Sequence, residues 1–451
     1  MKKILKKIAK QFWDAFDWCL KKRHVSLHSR MTLRAVLKEV AKEAFRGNSL
    51  VARPDSNEHE CSCKKILGRI TAVPRKKRFL VDVSQLVVIN GKSGIQRVVI
   101  RVLDAMLEDD RYVYVPIGLW NGTMHYVEYH QDDCTFHVSE PMKIEREDTL
   151  LMLDSSWEYY RFFWGMFEEV HANGGKVYVT VYDLIPLLQS QYVANRMPQL
   201  FEYWLKSAVN EADGLICISK TVAAQLRDYI LHHPTPQYAH PLKLGHFVLG
   251  ADFLENGSQG VPPEVADVFA RIGARKKFIS VSTLEPRKNY DFMLSVMEKL
   301  WERGFDVVYF IVGKHGWNVD ALVQRITLHP ELNKRLFWFP GVSDEVLEGI
   351  YRESDILLNL SHGEGYGLSL VEGAHYHCSV IASDIPVFRE VITDDTTLFC
   401  NISSLDETVD AIAERLRENR FVPSSAKYYR WSDSLDQIID VTINNHWDYE
   451  V

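Results

Sequence analysis

The sequence predicts an α/β protein with two Rossmann-like domains, each built on a doubly wound parallel sheet, and a helical extension at the N-terminus. The first observation is length. A single hydrophobic core stops growing at roughly 250–300 residues, so 451 residues with 46% hydrophobic side chains indicate two domains. The second is that two series of short apolar runs alternate with helical stretches, which is typical of parallel sheets covered by helices. The third is a basic amphipathic segment ahead of both series.

Residues 1–46 are predicted to form this basic amphipathic extension. Within residues 1–30, nine Lys and Arg side chains stand against two Asp side chains, so the segment carries +7 on a chain whose net charge is −7. Apolar side chains from Ile4 to Leu20 recur near helical spacing and leave the lysines on the opposite face. Such a helix suits an anionic membrane surface, where each Lys or Arg contributes roughly 1 kcal/mol. Docking onto this chain or onto a partner protein is the alternative.

Composition excludes several classes of protein. No apolar run reaches the roughly 18 residues of a membrane-spanning helix, and lysines interrupt the apolar residues where a signal peptide would lie. The seven cysteines lack zinc-finger spacing, which favours reduced thiols. The acidic net charge argues against nucleic-acid binding. We therefore expect a cytoplasmic protein, peripheral on the inner face of the cytoplasmic membrane.

The first domain is predicted over residues 78–255, after a linker at residues 47–77 that lacks periodicity. Buried strands are indicated by F-L-V-D-V-S, T-L-L-M-L-D, K-V-Y-V-T-V-Y-D-L and G-L-I-C-I-S. An amphipathic helix begins at Gly94, and further helices are expected near residues 157–172 and 197–211. A Gly- and Pro-rich stretch, L-E-N-G-S-Q-G-V-P-P, marks the hinge to the next domain.

The second domain is predicted over residues 256–425. Its strands are indicated by K-F-I-S-V-S-T-L, V-V-Y-F-I-V-G, L-F-W-F-P-G, I-L-L-N-L-S and S-V-I-A-S-D, with a helix between most neighbours. Residues 426–451 are expected to form a helix that crosses back onto the first domain.

Ligands of open parallel sheets bind beyond the carboxyl ends of the strands, so the loops there are searched first. One such loop reads S-H-G-E-G-Y-G-L-S-L-V-E-G and places Glu364 in the loop and Glu372 in the following helix. Its glycines let the backbone approach a ligand, and the helix that begins at about Leu368 offers free N–H groups to an anion. An ordinary tight turn is the alternative. The glycines are Gly363, Gly365 and Gly367.

A second loop, T-L-E-P-R-K-N, places Arg287 and Lys288 where a strand leads into a helix. Adjacent cations there oppose the helix dipole, so they indicate a bound anion such as a diphosphate. A solvated charge pair is the alternative. A third loop, F-P-G-V-S-D-E-V-L, carries Ser343 as a predicted helix N-cap, which by itself is structural.

Together these motifs resemble the retaining family 4 glycosyltransferases of GT-B fold, in which two Rossmann-like domains face a cleft. The resemblance runs through S-T-L-E-P-R-K-N, I-V-G-K-H-G-W, P-G-V-S-D-E-V-L-E-G-I-Y, H-G-E-G-Y-G-L-S-L-V-E and A-S-D-I-P-V-F-R-E. It implies catalytic roles for Glu364, beside the donor sugar, and for Lys288 and Arg287, on the donor phosphates. It implies Glu372 as the ligand of the nucleotide ribose. The other donor-binding residues that it implies are Gly363, Gly365, Gly367, Leu368, Thr283 and Ser343.

The first domain resembles the acceptor half of the same family. S-G-I-Q-R-V matches its Gly-rich loop at Gly94 and Arg97. V-T-V-Y-D-L-I-P-L matches a later loop, with Asp183 retained and Tyr182 where the family usually has His. A Tyr hydroxyl can donate a hydrogen bond but does not titrate near pH 7, so no imidazole chemistry is expected there. His377 stands where the family often has Gly and is interpreted as structural, since His tolerates left-handed backbone.

The resemblance implies a retaining hexosyltransferase that binds a nucleoside-diphosphate sugar, first of all GDP-mannose, and a lipid-linked or oligosaccharide acceptor in lipopolysaccharide O-antigen or other surface polysaccharide synthesis. The sequence has no Asp-x-Asp motif and no His pair beside carboxylates, so we expect no metal and no cofactor. Two alternatives stay open. One is a catalytically inactive GT-B scaffold or assembly partner, and the other is a nucleotide-sugar epimerase.

Overall fold

The computed structural model describes residues 76–89, 94–131, 134–233, 241–251, 263–426 and 428–451. The predicted basic extension, residues 47–75 of the predicted linker and residues 254–262 of the predicted hinge lie outside the described residues. The domain limits drawn from the sequence therefore stay predictions. Among the helices of the described ranges, none is both long and apolar enough to cross a membrane.

The first sheet is assembled mostly from the N-terminal half. The strands are β1 Arg78–Asp82, β2 Val113–Trp120, β3 Thr123–His130, β4 Thr135–Pro141, β5 Thr149–Met152, β6 Lys176–Val181, β7 Gly214–Cys217 and β8 Lys243–His246. Strands β8-β7-β6-β5-β1-β2 are parallel neighbours, and β3 and β4 extend this order as an antiparallel meander beyond β2. The helices are α1 Ser84–Ile89, α2 Gly94–Glu108, α3 Trp164–Ala172, α4 Ile185–Leu188, α5 Met197–Glu211 and α6 Lys220–His232.

The antiparallel meander corrects the expectation of a wholly parallel first sheet. Its last two strands read T-M-H-Y-V-E-Y-H and T-F-H-V-S-E-P and are largely half-buried or exposed. Strands with one solvated face alternate polar and apolar residues, whereas strands buried on both faces form continuous apolar runs. A search for apolar runs finds β1, β5, β6 and β7, and it misses β3 and β4 for this reason.

The second sheet has six parallel strands, β9 Lys276–Val281, β10 Val307–Val312, β11 Leu336–Phe339, β12 Ile356–Asn359, β13 Ser379–Ser383 and β14 Leu398–Cys400. Their order in the sheet is β11-β10-β9-β12-β13-β14. All five strands predicted for this domain are present, and the sixth, β14, was not predicted. The helices are α7 Pro263–Ile272, α8 Tyr290–Glu302, α9 Asp320–Thr327, α10 Asp344–Glu353, α11 Leu368–His375, α12 Pro386–Val391 and α13 Leu405–Arg417.

The strand order of the second sheet places its site. Numbered within the domain it reads 3-2-1-4-5-6, the order of dinucleotide-binding folds, which reverses direction between β9 and β12. Helices that leave neighbouring strands on opposite faces open a crevice at such a reversal. The loops after β9 and β12 therefore meet at the carboxyl edge of the sheet, and they are the two loops with the predicted cations and glutamates.

The C-terminal segment packs on the first sheet. Helix α14, Trp431–Thr442, shares a hydrophobic core with α2 and β1, and the Tyr178 hydroxyl on β6 donates to the Thr442 carbonyl at 3.0 Å. Strand β15, Tyr449–Glu450, then pairs antiparallel with β8. Residues 431–450 thus pack on the first sheet.

His377 follows α11 with φ of 61°, in the left-handed region. This confirms its interpretation as a backbone-conformation residue.

Candidate functional site

The two predicted cations meet the first glutamate of the Gly-rich loop. Arg287 and Lys288 lie in a short 3₁₀ turn, Pro286–Lys288, between β9 and α8. Arg287 donates to Glu364 Oε2 at 2.7 Å and to the Gly363 carbonyl at 2.6 Å, and Lys288 donates to Glu364 Oε1 at 2.6 Å. These side chains are largely shielded from solvent. The loops after β9 and β12 are thereby joined by charge-assisted hydrogen bonds.

Burial and charge act in opposite directions on these groups. Burial alone would raise the pKa of Glu364, but Arg287 and Lys288 lower it to about 2, so the carboxylate stays ionised. Burial lowers the pKa of Lys288, and the adjacent Arg287 lowers it further. Burial raises the pKa of Glu285 and of Asp183, which face the same cations. The two cations are thus surrounded by three carboxyl groups, and an anionic ligand has to displace some of these contacts to reach them.

The Gly-rich loop also touches the first domain. A Cβ on Gly365 would lie 2.2 Å from the Tyr182 carbonyl oxygen, and a Cβ on Gly363 would lie 2.3 Å from the Gln189 side chain. Ser219 donates to the Gly365 carbonyl at 2.9 Å. The sequence explained these glycines by approach to a ligand, and the structure adds that two of them permit close contact between the domains. The third, Gly367, has φ of 99° and immediately precedes α11.

Glu372 lies on α11 and is only 3% exposed. It accepts a hydrogen bond from the Tyr351 hydroxyl at 2.9 Å, and Arg97 on α2 forms an ion pair with it at 2.7 Å. Burial raises the pKa of Glu372, and Arg97 opposes this shift. The structure therefore pairs a predicted donor-binding residue with a predicted acceptor-side residue, a contact that no local motif contains.

Tyr182 and Asp183 follow β6 on the first domain. The Tyr182 hydroxyl donates to the Leu153 carbonyl at 2.7 Å, and burial raises the pKa of this phenol well above its usual range. The Asp183 carboxylate accepts from the Ile185 backbone N–H at 3.0 Å. The Tyr182 hydroxyl thus donates its proton to a backbone carbonyl, and this side chain does not replace the titratable imidazole that the family usually has there.

Two buried aspartates stand where the first sheet reverses direction, between β1 and β5. Asp82 accepts from Ser84 at 2.5 Å, and Asp154 accepts from the Ser155 backbone N–H at 2.7 Å. Burial raises the pKa of both, and the neighbouring Asp154 helps raise that of Asp82 to about 8. Sequence reasoning assigned no role to either residue, because both lie inside the apolar runs F-L-V-D-V-S and T-L-L-M-L-D that predicted strands, and only the loops after such runs were searched.

A cavity of about 1270 Å³ opens between the two domains. Pockets for one small ligand span roughly 300–1,000 Å³, so this cavity is larger than a usual site for one such ligand. On the first domain its wall includes Trp157, Ile185, Met197 and Phe201, an apolar surface that sequence reasoning missed. Among the predicted site residues, Gly363 does not line the cavity. Those that do are Gly94, Arg97, Tyr182, Asp183, Thr283, Arg287, Lys288, Ser343, Glu364, Gly365, Gly367, Leu368 and Glu372.

Two smaller predictions are settled by local geometry. The Ser343 hydroxyl accepts from the Val346 backbone N–H at 3.3 Å, which confirms it as the N-cap of α10. Helix α11 begins at Leu368, as predicted. In the described part of the chain, no group of three or more His, Cys, Asp or Glu side chains is arranged to hold a metal ion.

Several known proteins are similar to this chain in sequence, and others are similar in fold. Residues 265–430 match the family described as Glycosyl transferases group 1. The chain is 34% identical over 348 residues to the serotype-specific mannosyltransferase WbdA of Escherichia coli, covering 74% of this chain and 41% of that protein. It is 22% identical over 287 residues to the O-antigen chain mannosyltransferase RfbU of Salmonella typhimurium, covering 59% of this chain and 74% of that protein. The chain thus spans about two fifths of the length of the WbdA proteins that it matches.

A solved structure supports the fold assignment. Sucrose-phosphate synthase from Thermosynechococcus elongatus matches with a TM-score of 0.56 at 14% identity, covering 82% of this chain and 99% of that one. The sequence matches and the two facing sheets agree with each other. Residues 265–430 therefore form a domain of the glycosyl transferases group 1 family, in a chain that has the GT-B fold.

Proposed function

We propose that this protein is a retaining glycosyltransferase that moves a sugar from a nucleoside-diphosphate donor to a glycan acceptor. The observation that carries the proposal is the convergence of Arg287 and Lys288 with Glu364 at the strand-order reversal of the second sheet. Fixed cations at such a place stabilise the charge that develops on a diphosphate leaving group. The cavity beside them takes its walls from both domains, as a two-substrate reaction needs.

The donor is assigned to the second domain. Its diphosphate lies against Arg287, Lys288 and the N-terminal end of α11, where the helix dipole and backbone N–H groups favour an anion. Glu364 then lies beside the sugar, and Glu372 accepts hydrogen bonds from the ribose, as the family resemblance implies. Since the chain supplies two cations for the leaving diphosphate, no metal is required in this proposal.

The acceptor is assigned to the first domain. Trp157 is half-buried on the cavity wall and packs against Phe201, with ring centroids 5.9 Å apart. Apolar and aromatic walls with a few polar groups are typical of sites for uncharged ligands, which suits a glycan better than a second nucleotide. Because the Tyr182 hydroxyl donates to the backbone, we propose that the leaving phosphate itself deprotonates the acceptor hydroxyl on the same face of the sugar, which retains the anomeric configuration.

GDP-mannose and O-antigen synthesis are proposed from the relatives. WbdA and RfbU are named as mannosyltransferases, and RfbU acts on an O-antigen chain by its name. The basic extension at residues 1–46 would hold the protein at the inner face of the cytoplasmic membrane, where a lipid-linked acceptor is present. Vesicle flotation of the full chain and of a chain lacking residues 1–30 tests this part, and equal flotation of both would exclude it.

One experiment tests the main proposal. The purified full chain is incubated with GDP-mannose, UDP-glucose and other nucleotide sugars, with and without a synthetic or lipid-linked oligosaccharide, and free nucleotide and extended glycan are measured. Release of nucleotide that depends on acceptor supports transfer. No turnover with any donor would leave the inactive scaffold, and isomerised donor without transfer would establish the epimerase.

A further inference from the structure

The ion pair between Arg97 and Glu372 crosses the cleft. Arg97 belongs to α2 of the first domain and Glu372 to α11 of the second, and both line the interdomain cavity. The nitrogen–oxygen distance is 2.7 Å, and the side chains are 25% and 4% exposed. A ligand that fills the cavity between these two walls has to break this contact or bind around it.

Each partner needs a substitute if the pair opens. A buried carboxylate only accepts hydrogen bonds, and Glu372 would keep only the Tyr351 hydroxyl of the donors named above. Neighbouring hydroxyl groups of a ligand can supply the missing donors. The Arg97 guanidinium only donates, and its preferred substitute is a carboxylate or a phosphate.

One class of ligand carries both the hydroxyl groups that Glu372 needs and the anion that Arg97 needs. A nucleoside phosphate has a ribose with two adjacent hydroxyls and, a few bonds away, an anionic phosphate. A free nucleoside offers the hydroxyls alone, and inorganic phosphate offers the anion alone. Only the complete nucleotide compensates both members of the pair.

We infer that Arg97 exchanges partners when the donor binds. Without a donor Arg97 is expected to keep the ion pair with Glu372, and in the donor complex the ribose hydroxyls bind Glu372 while Arg97 moves to a donor phosphate. Arg97 is then a donor-binding residue supplied by the first domain, which couples donor binding to the position of that domain. This inference rests on the proposed function, because it takes a nucleotide to be the ligand.

The test compares nucleoside diphosphates with nucleosides in calorimetric titrations of the full chain. GDP, UDP, guanosine and uridine are titrated into the wild type, Arg97→Gln and Arg97→Lys. Arg227→Gln is the matched control, since Arg227 pairs with Asp228 on the surface of the same domain, away from the cavity wall. The measured quantity is the ratio of nucleoside Kd to diphosphate Kd for the base that binds.

In the wild type a nucleoside must displace Arg97 without offering it an anion, so the ratio is expected to be large. In Arg97→Gln the nucleoside meets less competition and the diphosphate loses a charged partner, so the ratio should fall about tenfold or more. Arg97→Lys keeps the positive charge but lacks the planar guanidinium, so its ratio should lie between those of Arg97→Gln and the wild type. Arg227→Gln should match the wild type.

An unchanged ratio in Arg97→Gln, or a nucleoside that binds it more weakly than it binds the wild type, overturns the inference. If GDP and UDP both fail to bind the wild type, the proposed donor site itself is wrong and the inference falls with it. The two failures are therefore distinguishable. If Arg97→Gln does not fold, Arg97→Lys decides, because a wild-type ratio in that folded variant contradicts the expected partial loss and overturns the inference.

Discussion

The two sheets of this protein differ in how directly their sequences encode them. The second sheet has six parallel strands, and five of them are visible as apolar runs. The first sheet combines a parallel centre with an antiparallel meander and with a strand from the C-terminus. The second carries its charged site in two loops of its own, Pro286–Lys288 and the loop around Glu364. The first supplies an apolar wall and a few contacts that reach across the cleft.

The two sheets also differ in where their ionisable side chains lie relative to the cavity. The donor half concentrates its ionised groups where its strand order reverses, so a local motif and a fold rule are sufficient to find them. The acceptor half places two aspartates at its own reversal, but Asp82 and Asp154 are buried and do not line the cavity. Substitution of the charged groups in the loops of the second sheet should therefore affect transfer, whereas substitution of Asp82 or Asp154 in the first should affect stability.

The largest effect is expected from Glu364→Gln. The amide keeps the shape of the side chain but cannot neutralise Arg287 and Lys288, so the charges of the site are no longer balanced where the sugar is transferred. We expect kcat to fall about 10²–10³-fold, the range seen when one preorganised electrostatic group is lost. Acceptor-dependent nucleotide release measures it.

Glu348→Gln is the control for that substitution. Glu348 lines the same cavity but pairs with Arg352 on its own helix, so transfer should stay within about twofold of the wild type. Equal losses in both variants would point to a general effect of removing a cavity carboxylate, and full activity of Glu364→Gln would remove Glu364 from the mechanism.

A smaller effect is expected from Gly365→Ala, which tests the contact between the halves. The added methyl would lie 2.2 Å from the Tyr182 carbonyl, so the Gly-rich loop must withdraw from the first domain. We expect about a tenfold loss of kcat together with a loss of about 1–3 kcal/mol of unfolding free energy, the usual cost of overpacking. Gly341→Ala, on the same cavity wall with no atom within 4 Å of its added methyl, should be neutral. Similar kinetics for both variants would show that close contact at Gly365 is not needed.

The sequence predicted the fold class and most of the donor site because each depends on local information. Buried parallel strands form apolar runs, and Arg287, Lys288 and Glu364 lie at the ends of such runs. The antiparallel strands could not be found in this way, since strands with one solvated face do not form apolar runs. The short strand Leu398–Cys400 contains too few residues to show any period.

Contacts between distant segments were beyond the sequence for a different reason. Arg97 and Glu372 are 275 positions apart, and their pairing depends on how two separately folded sheets face each other. The Tyr182 hydroxyl could be expected to donate a hydrogen bond, but its partner, the Leu153 carbonyl, belongs to another strand end. Spacing along the chain contains no information on such partners.

Asp82→Asn tests whether Asp82, which lies beside Asp154 in the first sheet, stays protonated in the folded protein. The pKa of Asp82 is raised to about 8 from an unfolded value near 3.9, so the folded protein binds the extra proton. The stability that this proton supplies is present below about pH 4 and is lost as the pH rises towards 8. Between these limits the wild type should lose up to about 1.4 kcal/mol per pH unit relative to Asp82→Asn.

Urea unfolding at several pH values measures this difference. Asp267→Asn, at an exposed position of the second domain, is the control and should follow the wild type at every pH. Parallel profiles for the wild type and Asp82→Asn would show that Asp82 is ionised in the folded protein.

The smallest effect is expected from Tyr182→Phe. This substitution tests whether Tyr182, which stands where the family usually has His, stabilises the fold or takes part in the reaction. The substitution leaves the buried Leu153 carbonyl without its hydroxyl donor, which should cost about 1 kcal/mol of unfolding free energy. Tyr126→Phe removes a hydroxyl that donates to the Lys143 carbonyl at 3.3 Å near the surface, and it should cost less. Because the Tyr182 hydroxyl faces the backbone, transfer should change by no more than about twofold. A tenfold loss of activity at unchanged stability would instead show that this hydroxyl contacts a substrate and that Tyr182 has a role in the reaction and not only in the structure of the first sheet.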